Sequence, residues 1–272
     1  LSEENLRHAE TFFPLHALVC DKCKLVQLEQ FQAPNEIFSD YAYFSSYSQS
    51  WLQHAKEYAE SMTSRLSLSG RKQVVEIASN DGYLLQYFHQ KGISVLGIEP
   101  AENVAEVAIS KGINTLVSFF GVETAEKLVA AGTKADLLLG NNVLAHVPDI
   151  NDFVKGMAVL LAEDGTLTME FPHLLQLIRF NQFDTIYHEH FSYLSLHTVK
   201  EIFSSHGLTI FDIDEIPTHG GSLRIYAQHN KSSPQPTESF DKVLADEDTA
   251  GINEIRTYTN FQLKVQETKR KL

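Results

Sequence analysis

Four neighbouring side chains that can carry protons or bind metals stand in one short segment, at Tyr187, His188, Glu189 and His190. Aromatic and apolar residues flank this segment, which predicts partial burial. Burial shifts the pKa values of imidazoles and carboxylates, and such shifts are common at functional sites. A cluster of this kind is typical of either a metal site or an acid/base site. The choice between the two decides which chemistry the chain performs.

Strand-like and helix-like segments alternate along the chain, which predicts an α/β fold with a doubly wound, mostly parallel sheet. Strands are predicted at residues 74–78, 94–99, 114–118, 136–140, 166–171, 208–213 and 222–228. Helices are predicted at residues 51–68, 83–90, 101–110, 122–131, 152–161 and 196–205. The cluster falls in the long connection 172–194, and connections of this length in a compact domain are usually functional.

The composition argues against several classes of function. Of 272 residues, 43% are hydrophobic and 21% are charged, as in globular proteins. The formal net charge of −13 argues against nucleic acid and anionic membranes as general partners. No apolar run approaches the ~20 residues of a membrane span, and two cysteines without a visible signal peptide fit a cytoplasmic protein. Because the chain begins at Leu1 and ends in a helix-like segment, we expect a fragment of a longer protein.

A turn of small and acidic residues, here called the cofactor turn, joins the strand at 74–78 to the next helix. It consists of Glu76, Ile77, Ala78, Ser79, Asn80, Asp81 and Gly82. Dinucleotide sites use three glycines in such a turn to admit a pyrophosphate, whereas here Ala78 and Asn80 replace two of them. Acidic groups suit a cationic sulfonium and an ammonium better, so we predict S-adenosylmethionine (SAM) as the ligand. A tight turn without any ligand is the alternative.

Two further sets of polar residues follow other strands of the predicted sheet. Glu99 ends the second strand and Pro100 follows it, and a carboxylate at that place can accept both hydroxyls of a ribose. Asn141, Asn142 and His146 follow the strand at 136–140. Ligands of open α/β sheets bind at the carboxyl ends of the strands, so we expect all of these residues in one crevice. The alternative is that Asn142 caps the next helical turn and His146 is structural.

Together these features resemble the SAM-dependent C-methyltransferases of nucleotide-linked deoxysugars. The resemblance rests on residues 14–28, 43–46, 76–82, 97–100, 142–146, 183–190 and 219–224. It implies a class I, Rossmann-like methyltransferase fold with a seven-stranded sheet and a small irregular N-terminal segment. It further implies a partial zinc-binding segment at 1–50, a methyltransferase domain at 51–230, and a linker and helix at 231–272 that lead into a C-terminal Rossmann-like domain.

The resemblance implies zinc held by two Cys-x-x-Cys pairs, of which the chain contains one, Cys20 and Cys23. Two thiolates do not fill the tetrahedral shell of zinc. Either a second pair precedes Leu1, or His8 or His16 replaces it, or the cysteines are reduced and metal-free. Any zinc here is expected to be structural rather than catalytic.

Methylation of carbon first requires the loss of a proton, so it needs a base and a group that stabilises the enolate oxygen. The resemblance implies a dTDP-linked 4-keto-deoxysugar as the small-molecule substrate. It assigns the base to His190, whose ordinary pKa of about 6.5 suits proton transfer near neutral pH. Glu189 then orients or polarises that imidazole, and Tyr187 binds the keto oxygen or relays a proton. Asn142 and His146 help to position the sugar or the cofactor.

The resemblance places substrate binding at a separate segment near the end of the sheet. Its residues are His219, Gly220, Gly221 and Arg224, with Arg224 as a phosphate partner. It gives His188 no role.

Two other functions stay open at this point. In the first, His188, Glu189 and His190 bind a metal together with His173 or His219, as in a metal-dependent hydrolase or oxygenase. In the second, the chain is a nucleotide-sugar-binding module without catalytic activity.

Overall fold

The computed structural model describes residues 11–38 and 41–271. Its strands are β1 (Ala17–Val19), β2 (Val26–Leu28), β3 (Gln73–Ile77), β4 (Ser94–Glu99), β5 (Thr115–Val117), β6 (Ala135–Asn141), β7 (Leu161–Pro172), β8 (Ser192–Tyr193), β9 (Leu208–Ile216) and β10 (Ser222–His229). Its helices are α1 (Pro34–Phe38), α2 (Gln49–Arg65), α3 (Leu85–His89), α4 (Glu102–Ser110), α5 (Val122–Ala130), α6 (Ile150–Leu160), α7 (Leu174–Phe180), α8 (Leu196–Ser205), α9 (Glu238–Ala250) and α10 (Ile255–Lys271). His8, a candidate zinc ligand, lies outside the described residues.

Seven strands form the central sheet, in the order β5-β4-β3-β6-β7-β10-β9. The first five strands are parallel, whereas β10 runs antiparallel to both β7 and β9. The predicted class I methyltransferase fold is therefore confirmed. The strands β3 and β6 are buried along almost their whole length, because helices cover both faces of the sheet.

The alternation of side chains along the strands separates two core layers. Val74 of β3 belongs to the layer that α2, α3 and α4 cover. Its neighbour Val75 points the other way, into the layer that α5, α6 and α8 cover. Because both layers are apolar, the polar residues at the strand ends are the ones left to form a site.

The connection 172–194 contains more structure than the predicted loop. The helix α7 fills its first part and ends at Asn181, whose φ of 55° is left-handed. The strand β8 ends it and pairs with β2, which pairs in turn with β1, in a three-stranded antiparallel sheet. The N-terminal hairpin, predicted as part of an irregular segment, therefore holds the connection that carries the ionisable cluster.

The C-terminal helices pack onto the methyltransferase sheet through a buried carboxylate. Glu247 of α9 accepts the backbone N–H groups of Leu196 at 2.6 Å and His197 at 2.9 Å, at the start of α8. It also lies 2.7 Å from Nε2 of His173. His173 therefore belongs to a structural contact rather than to a metal site. None of the helices in the described parts of the chain has the length and apolar character needed to cross a membrane.

Candidate active site

The carboxyl ends of the parallel strands open onto a cavity of about 830 Å³, within the size range of small-molecule sites. The predicted site residues that line it are Ala78, Asn80, Glu99, Pro100, Asn141, Asn142, His146, Tyr187, His190 and His219. They come from the cofactor turn, from the ends of β4 and β6, and from the connections that precede β8 and β10. The parallel topology brings these distant parts of the sequence to one edge of the sheet.

The cofactor turn adopts a left-handed backbone at three alternate positions, a conformation that favours glycine. The φ values are 57° at Ala78, 48° at Asn80 and 74° at Gly82. The turn is closed onto β4, because the N–H of Ala78 donates to the carbonyl of Ile98 at 2.8 Å. At Gly82 a Cβ atom would lie 3.1 Å from Ile113, so glycine also allows close packing there. The backbone thus has the shape of a ligand-binding turn although Ala78 and Asn80 stand where such turns use glycine.

Glu99 ends β4 beside this turn and is almost fully buried. One carboxylate oxygen accepts the N–H of Asn80 and the other that of Ala101, each at 2.9 Å. Burial raises the pKa of Glu99, and the two backbone hydrogen bonds oppose this rise. A carboxylate has about four acceptor positions, so each oxygen retains one for a ligand hydroxyl.

Buried polar atoms without a hydrogen-bond partner concentrate at this edge of the sheet. They are Ser79 Oγ, Asp81 Oδ1, Asn141 Nδ2, Asn142 Oδ1 and His146 Nδ1. Burial, and then the charge of Glu99, raise the pKa of Glu76 well above its ordinary value. Unpartnered buried polar groups are costly unless a ligand satisfies them. Most of these atoms can accept hydrogen bonds, which fits a cationic ligand with hydroxyl groups such as SAM.

The side chain of Asp81 does not line the cavity. It accepts a hydrogen bond from the hydroxyl of Ser46 and lies 3.3 Å from Nζ of Lys111. Glu76, Ser79 and Gly82 also lie outside the lining. These residues form the base of the turn and its electrostatic surroundings.

The ionisable cluster contributes two of its four members to the cavity. The hydroxyl of Tyr187 lies 3.0 Å from Nε2 of His190. The backbone carbonyl of Thr185 accepts a hydrogen bond from the same imidazole. A carbonyl cannot donate, so the nitrogen facing Thr185 carries the proton, and Nε2 is the acceptor to which Tyr187 donates. The imidazole therefore holds a basic nitrogen towards the phenol.

Burial lowers the pKa of His190 to about 4, with a smaller contribution from His219. The ordinary imidazole pKa of about 6.5, which favours His190 as a base, is therefore wrong for this site. His146 packs edge-on against His190 with ring centroids 4.6 Å apart. Burial, and then His190, lower the pKa of His146 to about 3. Both imidazoles are neutral at physiological pH, so they accept protons but hold no resting charge.

The other two members of the cluster point elsewhere. The backbone of Glu189 hydrogen-bonds the His146 ring. Burial raises the pKa of Tyr41, and the charge of the Glu189 carboxylate contributes a smaller rise. Thr185, rather than the Glu189 side chain, holds the second nitrogen of His190, which corrects the orienting role given to Glu189. His188 lies 3.1 Å from the carbonyl of Pro14 and has no part in the cavity.

The metal-site alternative finds no support within residues 11–38 and 41–271. This part of the chain contains no group of three or more His, Cys, Asp or Glu side chains placed to hold a metal ion. The acid/base interpretation of the cluster is therefore the one that the geometry favours.

The predicted substrate segment contributes a single side chain to the cavity. His219 lines it with a φ of 52° and an Nδ1 atom 3.5 Å from the amide of Asn142. Gly220 and Gly221 have φ values of 78° and 115°, which residues with a Cβ atom rarely adopt, and a Cβ atom there would lie 2.5 Å from Gln182 and 2.7 Å from Gln176. Neither glycine lines the cavity.

Arg224 is not available as a phosphate partner. It is 7% exposed, and its guanidinium binds Glu170 at 2.9 Å and lies over the ring of Tyr58. The same carboxylate binds His54 at 2.9 Å. The predicted phosphate contact is therefore wrong, because the guanidinium of Arg224 is already paired with the buried carboxylate of Glu170.

The cavity is also lined by aromatic residues that the sequence motifs did not single out as site residues. They are Phe38, Tyr41, Tyr43, Trp51, Tyr83, Phe119, Phe120 and Phe153. Tyr43 belongs to a segment that carries the resemblance, but nothing in the local pattern distinguishes the others from core aromatics. Their position after folding is the only feature that separates them.

Cys20 and Cys23 lie in the turn between β1 and β2. The N–H of Cys20 donates to Leu25 and the N–H of Lys24 to the carbonyl of Cys20, each at 3.0 Å. Hydrogen bonds from the backbone of Cys23, and then of Lys22, lower the pKa of the Cys20 thiol. A lowered thiol pKa favours the thiolate that zinc binds. The described residues thus fit half of a tetrahedral zinc site.

Family models match the chain in sequence order. They are a putative zinc binding domain at residues 1–38, a methyltransferase domain at 51–213 and a C-methyltransferase C-terminal domain at 217–272. The central match covers more than half of the chain. The fold and cavity define a class I, SAM-dependent type of methyltransferase. The chain belongs to the methyltransferase family, and the resemblance to C-methyltransferases is confirmed.

Individual proteins agree with this assignment. The C-methyltransferase NovU of Streptomyces niveus is 36% identical over 261 residues, which are 96% of this chain and 62% of NovU. The chain thus spans less than two thirds of that relative. The ubiquinone biosynthesis O-methyltransferase of Bartonella tribocorum is 30% identical over 95 residues, 35% of this chain and 38% of that protein.

Solved structures show the same fold. The PH0226 protein of Pyrococcus horikoshii superposes with a TM-score of 0.57 at 14% identity, over 73% of this chain and 99% of that one. The magnesium protoporphyrin IX methyltransferase of Synechocystis, solved with bound S-adenosylhomocysteine (SAH), gives 0.51 at 18% identity, over 65% and 82%. At these identities the likeness concerns the fold alone.

Proposed function

We propose that the protein methylates carbon, with SAM as the methyl donor and a nucleotide-linked keto-deoxysugar, carried on dTDP, as the acceptor. The observation that carries this proposal is the pair of Tyr187 and His190, 3.0 Å apart, in the same cavity as Glu99 and the cofactor turn. A base beside a methyl-donor site is what methylation of a carbon acid requires. The identity to NovU, named as a C-methyltransferase, supports carbon as the acceptor atom.

Glu99 and the base of the cofactor turn hold the donor in this proposal. The two unused acceptor positions of Glu99 bind the ribose hydroxyls. The buried carboxylates of Glu76 and Asp81 stabilise the positive charges of the ligand, and those charges lower the raised pKa of Glu76 in return. SAM, when bound, supplies an electrophilic methyl group.

His190 takes the proton from the carbon beside the ketone, at Nε2. The electron pair of the broken C–H bond remains in the enolate and forms the new carbon–carbon bond to the methyl group. The bond between that methyl group and the sulfur of SAM would break at the same time, with SAH as the leaving group, and the proton leaves from His190 to solvent. With a pKa of about 4, His190 is a weak base. The enolate therefore needs strong stabilisation, and Tyr187 provides it by turning its hydroxyl from Nε2 to the developing oxyanion.

The sugar, rather than the diphosphate, fits the cavity. Among the cavity-lining residues that the structure describes, none is lysine or arginine. Neutral imidazoles and aromatic rings suit an uncharged sugar ring. We therefore propose that the diphosphate and base of the nucleotide lie outside this cavity.

We further propose that Cys20 and Cys23 supply two of four ligands to a structural zinc ion. The hairpin that they close forms a sheet with β8, directly after the catalytic segment. Zinc at this place stabilises the position of Tyr187 and His190 without taking part in the reaction.

Two measurements test the proposal. Calorimetric titration with SAH checks the donor site, and a protein without measurable binding contradicts the proposal at its first step. In deuterated water, a dTDP-linked 4-keto-deoxysugar is then expected to exchange the proton beside its ketone. His190→Ala abolishes that exchange, whereas the matched variant His188→Ala, altered at an imidazole outside the cavity, retains it. Exchange that survives His190→Ala removes His190 as the base.

A further inference from the structure

Residues 41–48, here called the strap, run into α2 and line the same cavity as the cofactor turn. The strap residues in the lining are Tyr41, Tyr43, Ser45 and Ser48. The strap contains no strand and a single short helical turn, at Ser45–Tyr47. Contacts with other parts of the chain must therefore fix its position.

The side chain of Asn80 provides two of these contacts. Its Nδ2 donates to the carbonyl of Tyr43 at 3.0 Å, and its Oδ1 accepts the N–H of Ser45 at 2.9 Å. Oδ1 also accepts the N–H of Asp81 at 2.9 Å. Asn80 is 6% exposed. The amide therefore binds the strap backbone on both sides of Phe44, shielded from water that would compete for it.

A second anchor holds the beginning of the strap. Asn103, on α4, accepts the N–H of Tyr41 at 3.1 Å and donates to its carbonyl at 2.9 Å. Asn103 does not line the cavity. The strap is thus held at one point by the cofactor turn and at another by a helix that lies outside the site.

Asn80 combines this contact with a position in the cofactor turn. Its φ of 48° is a conformation that asparagine tolerates better than other residues with a Cβ atom. Its own N–H donates to Glu99 at 2.9 Å. A glycine would give the same turn with less strain but could not bind the strap. The asparagine therefore has a use that the backbone conformation alone does not explain.

We propose that Asn80 is a positioning residue that holds the strap against the bound donor and thereby slows its release. The inference rests on the proposed function, since it requires SAM or SAH in the cavity. A ligand that fills the space between the cofactor turn and the strap leaves more slowly while the strap is held. The contacts of Asn80 and Asn103 hold the strap without help from the ligand, which reduces the cost of ordering it on binding.

The test is the rate of SAH dissociation, measured by stopped-flow dilution of the complex. Trp51 is the only tryptophan of the chain and lines the cavity, so its fluorescence reports the change. Asn80→Gly removes both strap contacts and relieves the backbone. It is expected to raise the dissociation rate about tenfold, as the two hydrogen bonds to the strap are lost. Calorimetry is expected to give a similar rise in Kd.

Asn103→Ala is the matched variant, because it frees the other end of the strap without altering the cofactor turn. It is also expected to speed dissociation. If Asn80→Gly alone speeds it, the effect belongs to the turn and the inference is wrong. If neither variant changes the rate while the unaltered protein binds SAH, the inference fails and the proposed function stands. Absence of SAH binding by the unaltered protein defeats the proposed function instead. Thermal melts of both variants identify a variant that has lost its fold.

Discussion

Arg224 of β10 stands directly opposite Glu170 of β7, and the two side chains form an ion pair with a nitrogen–oxygen distance of 2.9 Å. Glu170 is fully buried, and Thr218 donates to its other oxygen at 3.0 Å. This pair therefore links the sheet to the turn that carries His219. It gives Arg224 a structural task in place of the phosphate contact that its type suggests.

Arg224→Ala is expected to destabilise the protein by about 3–5 kcal/mol, because it leaves a buried carboxylate without its cation. The free energy of urea-induced unfolding measures this loss. Adding Glu170→Gln removes the uncompensated charge and is expected to restore part of the stability. An Arg224→Ala protein that unfolds like the unaltered one, but has a raised KM for the sugar nucleotide, contradicts the structural role.

Tyr187→Phe is expected to lower kcat by about 10²-fold or more, because it removes the donor proposed to stabilise the enolate. The affinity for SAH is expected to stay the same, since Tyr187 does not belong to the cofactor turn. Steady-state kinetics and calorimetry separate these two effects. An unchanged kcat shows that the hydroxyl has no part in the reaction, and a weakened affinity for SAH shows that it supports the donor site.

The stability of the protein is expected to fall as the pH is lowered from about 6.5 towards 4. Burial lowers the pKa of His190 to about 4 in the folded protein, whereas the unfolded chain takes up a proton below about 6.5. The unfolded state thus binds more protons in this window, so stability is complete above it and is lost as the pH falls. At pH 5 the loss from His190 is on the order of 1–2 kcal/mol.

Urea unfolding at pH 7.5 and pH 5 measures this dependence. His190→Asn keeps a polar side chain that does not titrate, and it is expected to flatten the pH profile. His188→Asn is the matched control outside the cavity. A profile of the same slope in His190→Asn shows that the imidazole does not titrate with a lowered pKa.

Ala78→Gly is expected to stabilise the protein by up to about 1 kcal/mol, because Ala78 has a φ of 57° that an L-residue adopts only with strain. Thermal unfolding measures the change. Ser67→Gly is the matched variant, since Ser67 has a φ of 50° and is exposed at the end of α2, away from the cavity. Destabilisation by Ala78→Gly indicates that the alanine side chain contributes more to packing than the conformation costs.

The sequence by itself determined the order of strands and helices, the cofactor turn and the segment that holds His190. These features depend on local pattern: apolar runs, helical spacing and small residues between them. The bounds of β4 and α8 agree with the predicted ones, because both elements have strong apolar patterns and clear ends. The connection 172–194 was less readable, because α7 is short and β8 exists only through its pairing with β2.

Only the tertiary structure decided how the individual side chains of the site are used. The pKa of His190 depends on burial beneath residues from several elements, which no local pattern reveals. Arg224 and Asn80 look like ligand-binding residues by type, yet their partners Glu170 and Ser45 stand far from them in sequence. Residue types limit what a side chain can do. The packing of distant segments decides which partner a side chain binds and how far it stays exposed to solvent.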